Sequence, residues 1–312
     1  AQESDWGGGG WEDEAGNRPF GGEGNSPDLN DLVPAYFQSM DRKVDFLNAN
    51  GFIPFIEPAR RDIADYWKDC FGWPESYARY IRYVWFRYQG NIVFNSPIHL
   101  DDMALSGEEW NEAANITIDR YGWAPFGHQA SANPPGSTLS TFGHTDKARW
   151  LTFHGVGNGR ERDHGLFPEL SRMFGLTAPV PCLNNEPYYD GLKWGNTADQ
   201  GSDLAAYYSR VALYGSVLSG GLAGHVYGAH HIWSGDAEMP DAFLVQSAPQ
   251  MQHIRGFLLA GGKAYQDLVP DRGLLDPSQT PNEDGRKGWA YCMRTETWDL
   301  FLLYFEMDCP RP

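Results

Sequence analysis

Short apolar runs alternate with helix-periodic segments along most of this chain, and that rhythm limits the fold more than any single motif. The runs read at Gly51–Pro58, Asn91–Phe94, Ala124–Ala130, Trp150–His154, Val180–Glu186 and Leu222–Tyr227. Helical spacing separates most of them. Tyr77, Tyr80, Ile81, Val84, Trp85 and Tyr88 form one apolar stripe that Gly90 ends, and Ser106 with Glu109 three residues on is a capping-box signature for a helix to about Tyr121. Further helices are predicted near 164–174, 202–219 and 246–259, and one precedes the series, with Phe37, Met40, Val44 and Leu47 in register before Asn50-Gly51. Strands that alternate with helices build a parallel sheet covered on both faces, and this many units favour closure into a barrel over an open sheet.

Residues 1–35, glycine-rich from Gly7 to Gly10 and acidic, show no periodicity and read as an extended loop. The tail also departs from the rhythm. Gly288–Met293 and Trp298–Phe305 are β-rich runs joined by polar residues, which reads as a hairpin. The expected organisation is a barrel over 1–275 and a β-rich extension over 276–312, which reads either as the start of a β-sandwich or as a strip packed on the barrel.

At 312 residues and 41% hydrophobic, the chain can bury a large core. Its net charge of −17, from 24 basic and 41 acidic residues, argues against nucleic acid as a partner, which requires clustered Lys and Arg. A neutral substrate fits better. Twelve Trp and sixteen Tyr offer flat faces that stack on sugars as readily as they fill cores. No apolar stretch reaches the roughly 18 residues of a membrane span. Cys70, Cys182, Cys292 and Cys309 make no C-x-x-C pair; Cys182 is expected to be a buried thiol, and only Cys292 with Cys309 is close enough to suggest a disulfide. Asn115-Ile-Thr117 matches a glycosylation acceptor, a pattern common by chance.

In a parallel barrel, chemistry collects at the C-terminal ends of the strands. The strand-end residues are Glu57; His99, Asp101 and Asp102; His128 and Gln129; His154; Glu186; and His225, Tyr227, His230, His231 and Trp233. Glu186 is the most pointed, because an apolar run stops at it before Pro187 and two tyrosines. A carboxylate there is either hydrogen-bonded scaffolding or an acid, base or nucleophile. Glycoside hydrolysis needs two carboxyl groups, for which Glu186 pairs with Asp101 or Asp102. Tyr188 and Trp233 would be sugar platforms, with His99, His128, His154, His225 and Tyr227 holding hydroxyls or orienting carboxylates. A metal-dependent hydrolase is a competing reading, with His99, His128, His154 and His225 as ligands, but no H-x-H or H-E-x-x-H spacing supports it. A barrel that binds carbohydrate without cleaving it is a third. No cofactor or metal is expected.

Asn17-Arg-Pro-Phe20, Tyr36-Phe-Gln, Asn91-Ile-Val-Phe, Asn184-Asn-Glu-Pro-Tyr-Tyr-Asp-Gly191, Gly224-His-Val-Tyr-Gly-Ala229 with Ile232-Trp233, and Leu268-Val-Pro-Asp271 together resemble the apiosidase-like family of glycoside hydrolases. The resemblance implies a (β/α)8 TIM barrel acting on side chains of plant or algal polysaccharides. It implies a retaining enzyme with the seventh-strand glutamate, here Glu186, as nucleophile. Family members carry Gly-Gly-Asp or Gly-Gly-Glu at the fourth strand where this chain has Ser96-Pro-Ile-His-Leu-Asp-Asp102, so Asp101 and Asp102 are both candidates for the acid/base. Members also have two strands ahead of the Arg-Pro-Phe segment, so this chain is expected to be a fragment that supplies strands three to eight. Export to the periplasm or medium is expected of such an enzyme.

Overall fold

A computed structural model describes residues 12–23, 26–59, 64–99, 105–123, 127–157, 164–192, 198–275 and 287–309. The glycine run at 7–10 lies outside them. Two compact units make up the chain, Ala1–Phe153 and His154–Pro312, and both mix helix with strand.

The first unit opens with β1 (Phe20–Glu23) antiparallel to β2 (Ser26–Leu32), where an extended loop was expected. Composition hid these strands. Pro27 and Leu29 are buried between exposed Asp28 and Asn30, a period of two inside a polar segment. Helix α1 (Pro34–Ala49) follows, with Phe37 and Val44 buried, and stops where Gly51 adopts φ +81°. Three parallel strands come next in space: β3 (Phe55–Ile56), β4 (Phe94–Asn95) and β5 (Gln129–Ala130), with Phe55 opposite Phe94 and Phe94 opposite Gln129. They are shorter than the apolar runs suggested. Phe52, Ile53 and Ile92 precede the paired residues and are exposed.

Between these strands lie α2 (Ala64–Cys70), α3 (Glu75–Arg87) and α4 (Gly107–Tyr121). The stripe on α3 is buried as expected, and its polar tips set the helix over the sheet. Tyr80 Oη donates to the Pro58 carbonyl at 2.6 Å, Trp85 Nε1 to that of Ser96 at 3.1 Å, and Tyr77 Oη to that of Pro97. All three carbonyls lie just past a strand's last residue, where the ladder no longer satisfies them. Around this seam, Trp67 stacks on Tyr80 at 4.9 Å and Trp73 meets Trp110 edge-on at 5.1 Å. The capping box forms as predicted: Ser106 Oγ accepts from the Glu109 amide at 3.3 Å, and Glu109 Oε2 from the Ser106 amide at 2.8 Å. Short β6 (Gly136–Ser137) and α5 (Thr138–Phe142) complete the unit, tied down by Asn111, which donates to the Phe142 carbonyl and accepts from Trp150 Nε1.

The second unit begins with β7 (His154–Gly157) parallel to β8 (Cys182–Asn184), and a parallel bridge from Asn184 to His225 extends the order by one more chain segment. Helices α6 (Leu166–Phe174) and α7 (Asp203–Leu218) match the expected ranges. Nearly every turn of α7 is buried, as its apolar circumference demands. The helix expected at 246–259 is instead broken. After α8 (His230–Ser234) and α9 (Met239–Ala242) come two short pieces, α10 (Ser247–Gln250) and α11 (His253–Leu258).

The C-terminal hairpin exists as β10 (Ala290–Thr295) and β11 (Phe301–Phe305), and β9 (Leu268–Pro270) joins β10 as an unexpected third strand. Tyr304 stacks on Tyr214 of α7 at 4.8 Å, and Tyr207 Oη accepts from the Met307 amide at 3.0 Å. Just past β11, the buried Glu306 carboxylate is ringed by three polar partners. His164 Nε2 lies 2.9 Å from both of its oxygens, Tyr291 Oη donates at 2.6 Å and the Trp289 amide at 3.2 Å. The His164 ring stacks on Trp289 with centroids 3.8 Å apart. All four thiols are free, which corrects the Cys292–Cys309 disulfide: the register sets Cys292 opposite Leu303, well short of Cys309. Burial pushes the Cys182 thiol up to about 12. No helix among the described residues is long and apolar enough to cross a membrane.

Candidate active site

Glu186 lies two residues beyond the end of β8 rather than at its last position, and only 3% of it is exposed. Two asparagines deliver it there. Asn184 Nδ2 donates to Ser216 Oγ on α7 at 3.0 Å while its Oδ1 accepts from the Glu186 amide at 3.3 Å. The Asn185 amide donates to the Val156 carbonyl of β7 at 3.0 Å. The bend after β8 is therefore fastened to a helix on one side and a strand on the other, which fixes the backbone that carries the carboxyl group.

Beyond it, Asp190 is fully buried and organises the neighbouring segment. Its Oδ1 accepts from the Gly201 amide at 2.9 Å and its Oδ2 from Ser247 Oγ. Its own amide donates to the Gly228 carbonyl, and its carbonyl accepts from the His230 amide, both at 2.9 Å. Ser247 also lies 2.9 Å from Tyr227 Oη. Because the serine's one proton is given to Asp190, Tyr227 is the donor in that contact, and its oxygen keeps its lone pairs for another partner. Burial, with Asp190 nearby, raises the Tyr227 phenol to about 12, so it stays protonated. Gly228 is required by close approach: a Cβ there would stand 2.3 Å from the Tyr189 ring.

His225 sits across the bridge from Asn184. Part of its side chain is exposed, but Nδ1 is buried with no hydrogen-bond partner among the described residues, and burial pushes the imidazole down to about 3. It is neutral at physiological pH. Trp233, on α8, is 45% exposed and presents its ring to solvent. Tyr188 does not. It is buried edge-on against Tyr208 at 5.5 Å, which replaces the sugar platform expected of it with a core role. His231 is held by Asp236 at 2.8 Å and Glu238 at 3.1 Å, and the Asp236 contact raises its pKa.

In the first unit, His99 follows β4 as expected. Its Nδ1 lies 2.8 Å from Glu57 Oε2, its amide donates to the Ala59 carbonyl at 2.9 Å, and it bridges to Asn133. Asp101 and Asp102 lie outside the described residues. Two other histidines stand at the wrong ends of their strands. His128 precedes β5 and sits near the Asn91 backbone, ahead of β4, with burial lowering its pKa. His154 is the first residue of β7, fully buried opposite Cys182. Both belong to the N-terminal edge, because the paired residues begin later than the apolar runs do. Among the described residues no three His, Cys, Asp or Glu side chains come together in a way that would hold a metal ion. Asn184 carried a motif in the sequence, but its role as a fastener, like the link from Asp190 to Ser247, had no local signal.

Two solved structures share this fold. One is a glycoside hydrolase with a TM-score of 0.65 and 18% identity, covering 84% of this chain and 62% of its own. The other is a glycoside hydrolase family 5 protein from Bacteroides vulgatus ATCC 8482, with a TM-score of 0.65 and 16% identity, covering 84% of this chain and 60% of its own. The chain thus spans about three fifths of the length of these structures. The fold is therefore one found among glycoside hydrolases. The family profile described as "Apiosidase-like, catalytic domain" matches residues 10–262, and the chain belongs to that family. No curated protein matches the sequence significantly.

Proposed function

We propose that this chain is the catalytic part of a retaining glycoside hydrolase built on a (β/α)8 barrel, acting on plant or algal polysaccharide, with Glu186 as nucleophile. The observation that carries the reading is the burial of Glu186 just past a parallel strand, on a backbone fastened from both sides by Asn184 and Asn185. Membership of the apiosidase-like family supports it. Glu186 attacks the anomeric carbon while Asp101 or Asp102 protonates the departing oxygen and then activates water for the second displacement. That route requires the two carboxyl groups roughly 5–5.5 Å apart. His99, anchored by Glu57, lies four residues past β4 and two before Asp101 in the sequence. Trp233 offers the stacking surface, and Tyr227 and His225 offer hydrogen bonds to sugar hydroxyls. Polysaccharide is too large to enter a cell, so secretion or a periplasmic location is part of the proposal, as is the opening of a β-sandwich in residues 276–312.

The test is a screen of purified protein on plant and algal polysaccharides, with product stereochemistry followed by NMR, beside Glu186→Gln. The expected outcome is net retention by the wild type and loss of turnover in the variant with binding kept. Inversion would demote Glu186 to a general base. Undiminished turnover in Glu186→Gln would remove it from the chemistry, and binding without turnover in the wild type would identify a carbohydrate-binding barrel.

A further inference from the structure

The first unit holds a groove of about 310 Å³ between β2, α3 and the end of α4, whose lining includes Leu29, Asn30, Arg79, Arg82, Tyr83 and Tyr121. Its arginines stand with Arg42, Arg210, Arg255 and Arg272 as those without an ion-pair partner among the described residues, but here two of them share one groove. In a protein of net charge −17, Arg18, Arg87, Arg120, Arg149, Arg172 and Arg294 each have a carboxylate partner. Arg87 lies on the same helix and takes both oxygens of Asp41 at 2.7 Å. Arg79 and Arg82 have none among the described residues. Arg79 donates to the amide oxygen of Asn30 at 3.1 Å, and the Arg82 guanidinium lies over the Tyr121 ring at 4.8 Å and Phe86 at 5.4 Å. Both side chains are exposed, and their spacing of three places them on one face of α3.

A guanidinium fork matches the planar spread of carboxylate or sulfate oxygens, and a fork already resting on an aromatic ring loses less freedom when it binds. The phenol rings beside it supply the flat surface on which a sugar packs. The volume is at the low end of ligand pockets, which run roughly 300–1,000 Å³, and suits a short stretch of saccharide. We propose that this groove is a second carbohydrate site that captures an acidic saccharide unit, a uronate or a sulfated sugar, through Arg79 and Arg82. The choice of a saccharide over other anions rests on the glycoside hydrolase reading; the anionic preference rests on the groove alone. The long-range repulsion from a chain of net charge −17 is screened beyond about 8 Å at physiological salt, so two close guanidiniums dominate locally.

Calorimetric titration of the full chain, in the wild type and in Glu186→Gln to prevent turnover, tests this with four probes: an oligogalacturonide, a sulfated oligosaccharide of equal charge, a neutral oligosaccharide of equal length, and inorganic sulfate. At least one acidic oligosaccharide should bind, and whichever does identifies the anion. Arg82→Gln and Arg79→Gln should each weaken that binding about tenfold, which is about 1.4 kcal/mol. Arg42→Gln, exposed and outside the groove, should leave it unchanged. No binding of either acidic oligosaccharide, equal binding of the neutral one, inorganic sulfate as tight as the oligosaccharide, or unaltered affinity in both groove variants would each overturn the proposal. The two readings fail separately. Arginine-dependent binding by a wild type without turnover defeats the hydrolase and keeps the groove, whereas turnover without arginine-dependent binding does the reverse.

Discussion

Replacing Glu306 by glutamine keeps the size of the side chain and removes its charge, in a place where the Tyr291 hydroxyl donates to one oxygen and the Trp289 amide to the other. Oε1 takes Tyr291 Oη and His164 Nε2, and Oε2 takes the Trp289 amide and His164 Nε2. With its NH₂ at the Oε2 position the new amide faces the Trp289 amide, a fixed donor, and at the Oε1 position it requires the Tyr291 hydroxyl to turn its proton away; in either orientation the carboxylate's charge-assisted hydrogen bonds are weakened. The side chain of Glu306 is fully buried and that of His164 is 6% exposed, so solvent does not soften the loss. Leaving a buried hydrogen-bonding group poorly satisfied costs about 1–3 kcal/mol. At roughly 2–4 °C per kcal/mol for domains in this size range, Tm should fall by roughly 2–12 °C. Thermal unfolding followed by near-UV circular dichroism suits the measurement, because Trp289 stacks on His164 and reports the loss directly. A double-mutant cycle with His164→Gln should return a coupling above about 1 kcal/mol. A fall of less than about 1 kcal/mol in Glu306→Gln, or additivity in the cycle, would refute the account of this cluster.

Burial holds His225 neutral down to about pH 3, while an unfolded chain protonates near 6.5. Between those values the unfolded state binds more protons, so stability should fall as pH drops from about 6.5 towards 3, by at most about 1.4 kcal/mol per pH unit and less because the side chain is partly exposed. His225→Asn should flatten that slope in urea titrations, and an unchanged slope would show that other groups set it. Ser106→Ala removes a cap that accepts from Glu109 and should cost about 1 kcal/mol, whereas Ser106→Asp should be nearly neutral by the same assay. Gly228→Ala would bring a methyl to 2.3 Å from the Tyr189 ring; it should lower Tm and, on the proposed function, reduce turnover by displacing Tyr227.

Most of the longer helices were legible because each carries several turns of evidence, the broken 246–259 segment being the exception. The α3 stripe and the Ser106–Glu109 box state a period or a spacing that chance seldom gives, and both appear where the sequence put them. The bounds of the short parallel strands were not, because only two to four residues of each are paired, too few to show a register, whereas the longer C-terminal hairpin was legible. The apolar runs start ahead of the pairing, which moved His128 and His154 from the end where chemistry was expected to the opposite end. Tyr188 misled for another reason: an aromatic residue beside a carboxylate looks the same in sequence whether it faces a sugar or Tyr208. The link from Asp190 to Ser247 spans 57 residues, and nothing local announces it.

The pairing of His164 with Glu306 closes a loop of 142 residues. A ribosome has almost finished releasing this stretch of polypeptide before the second partner exists, so His164 must wait through the synthesis of β8, α7 and everything after them. Nascent chains arrested before residue 306 would hold the second unit with its histidine uncompensated and the hairpin undocked, and they would be the species that chaperones and proteases meet first.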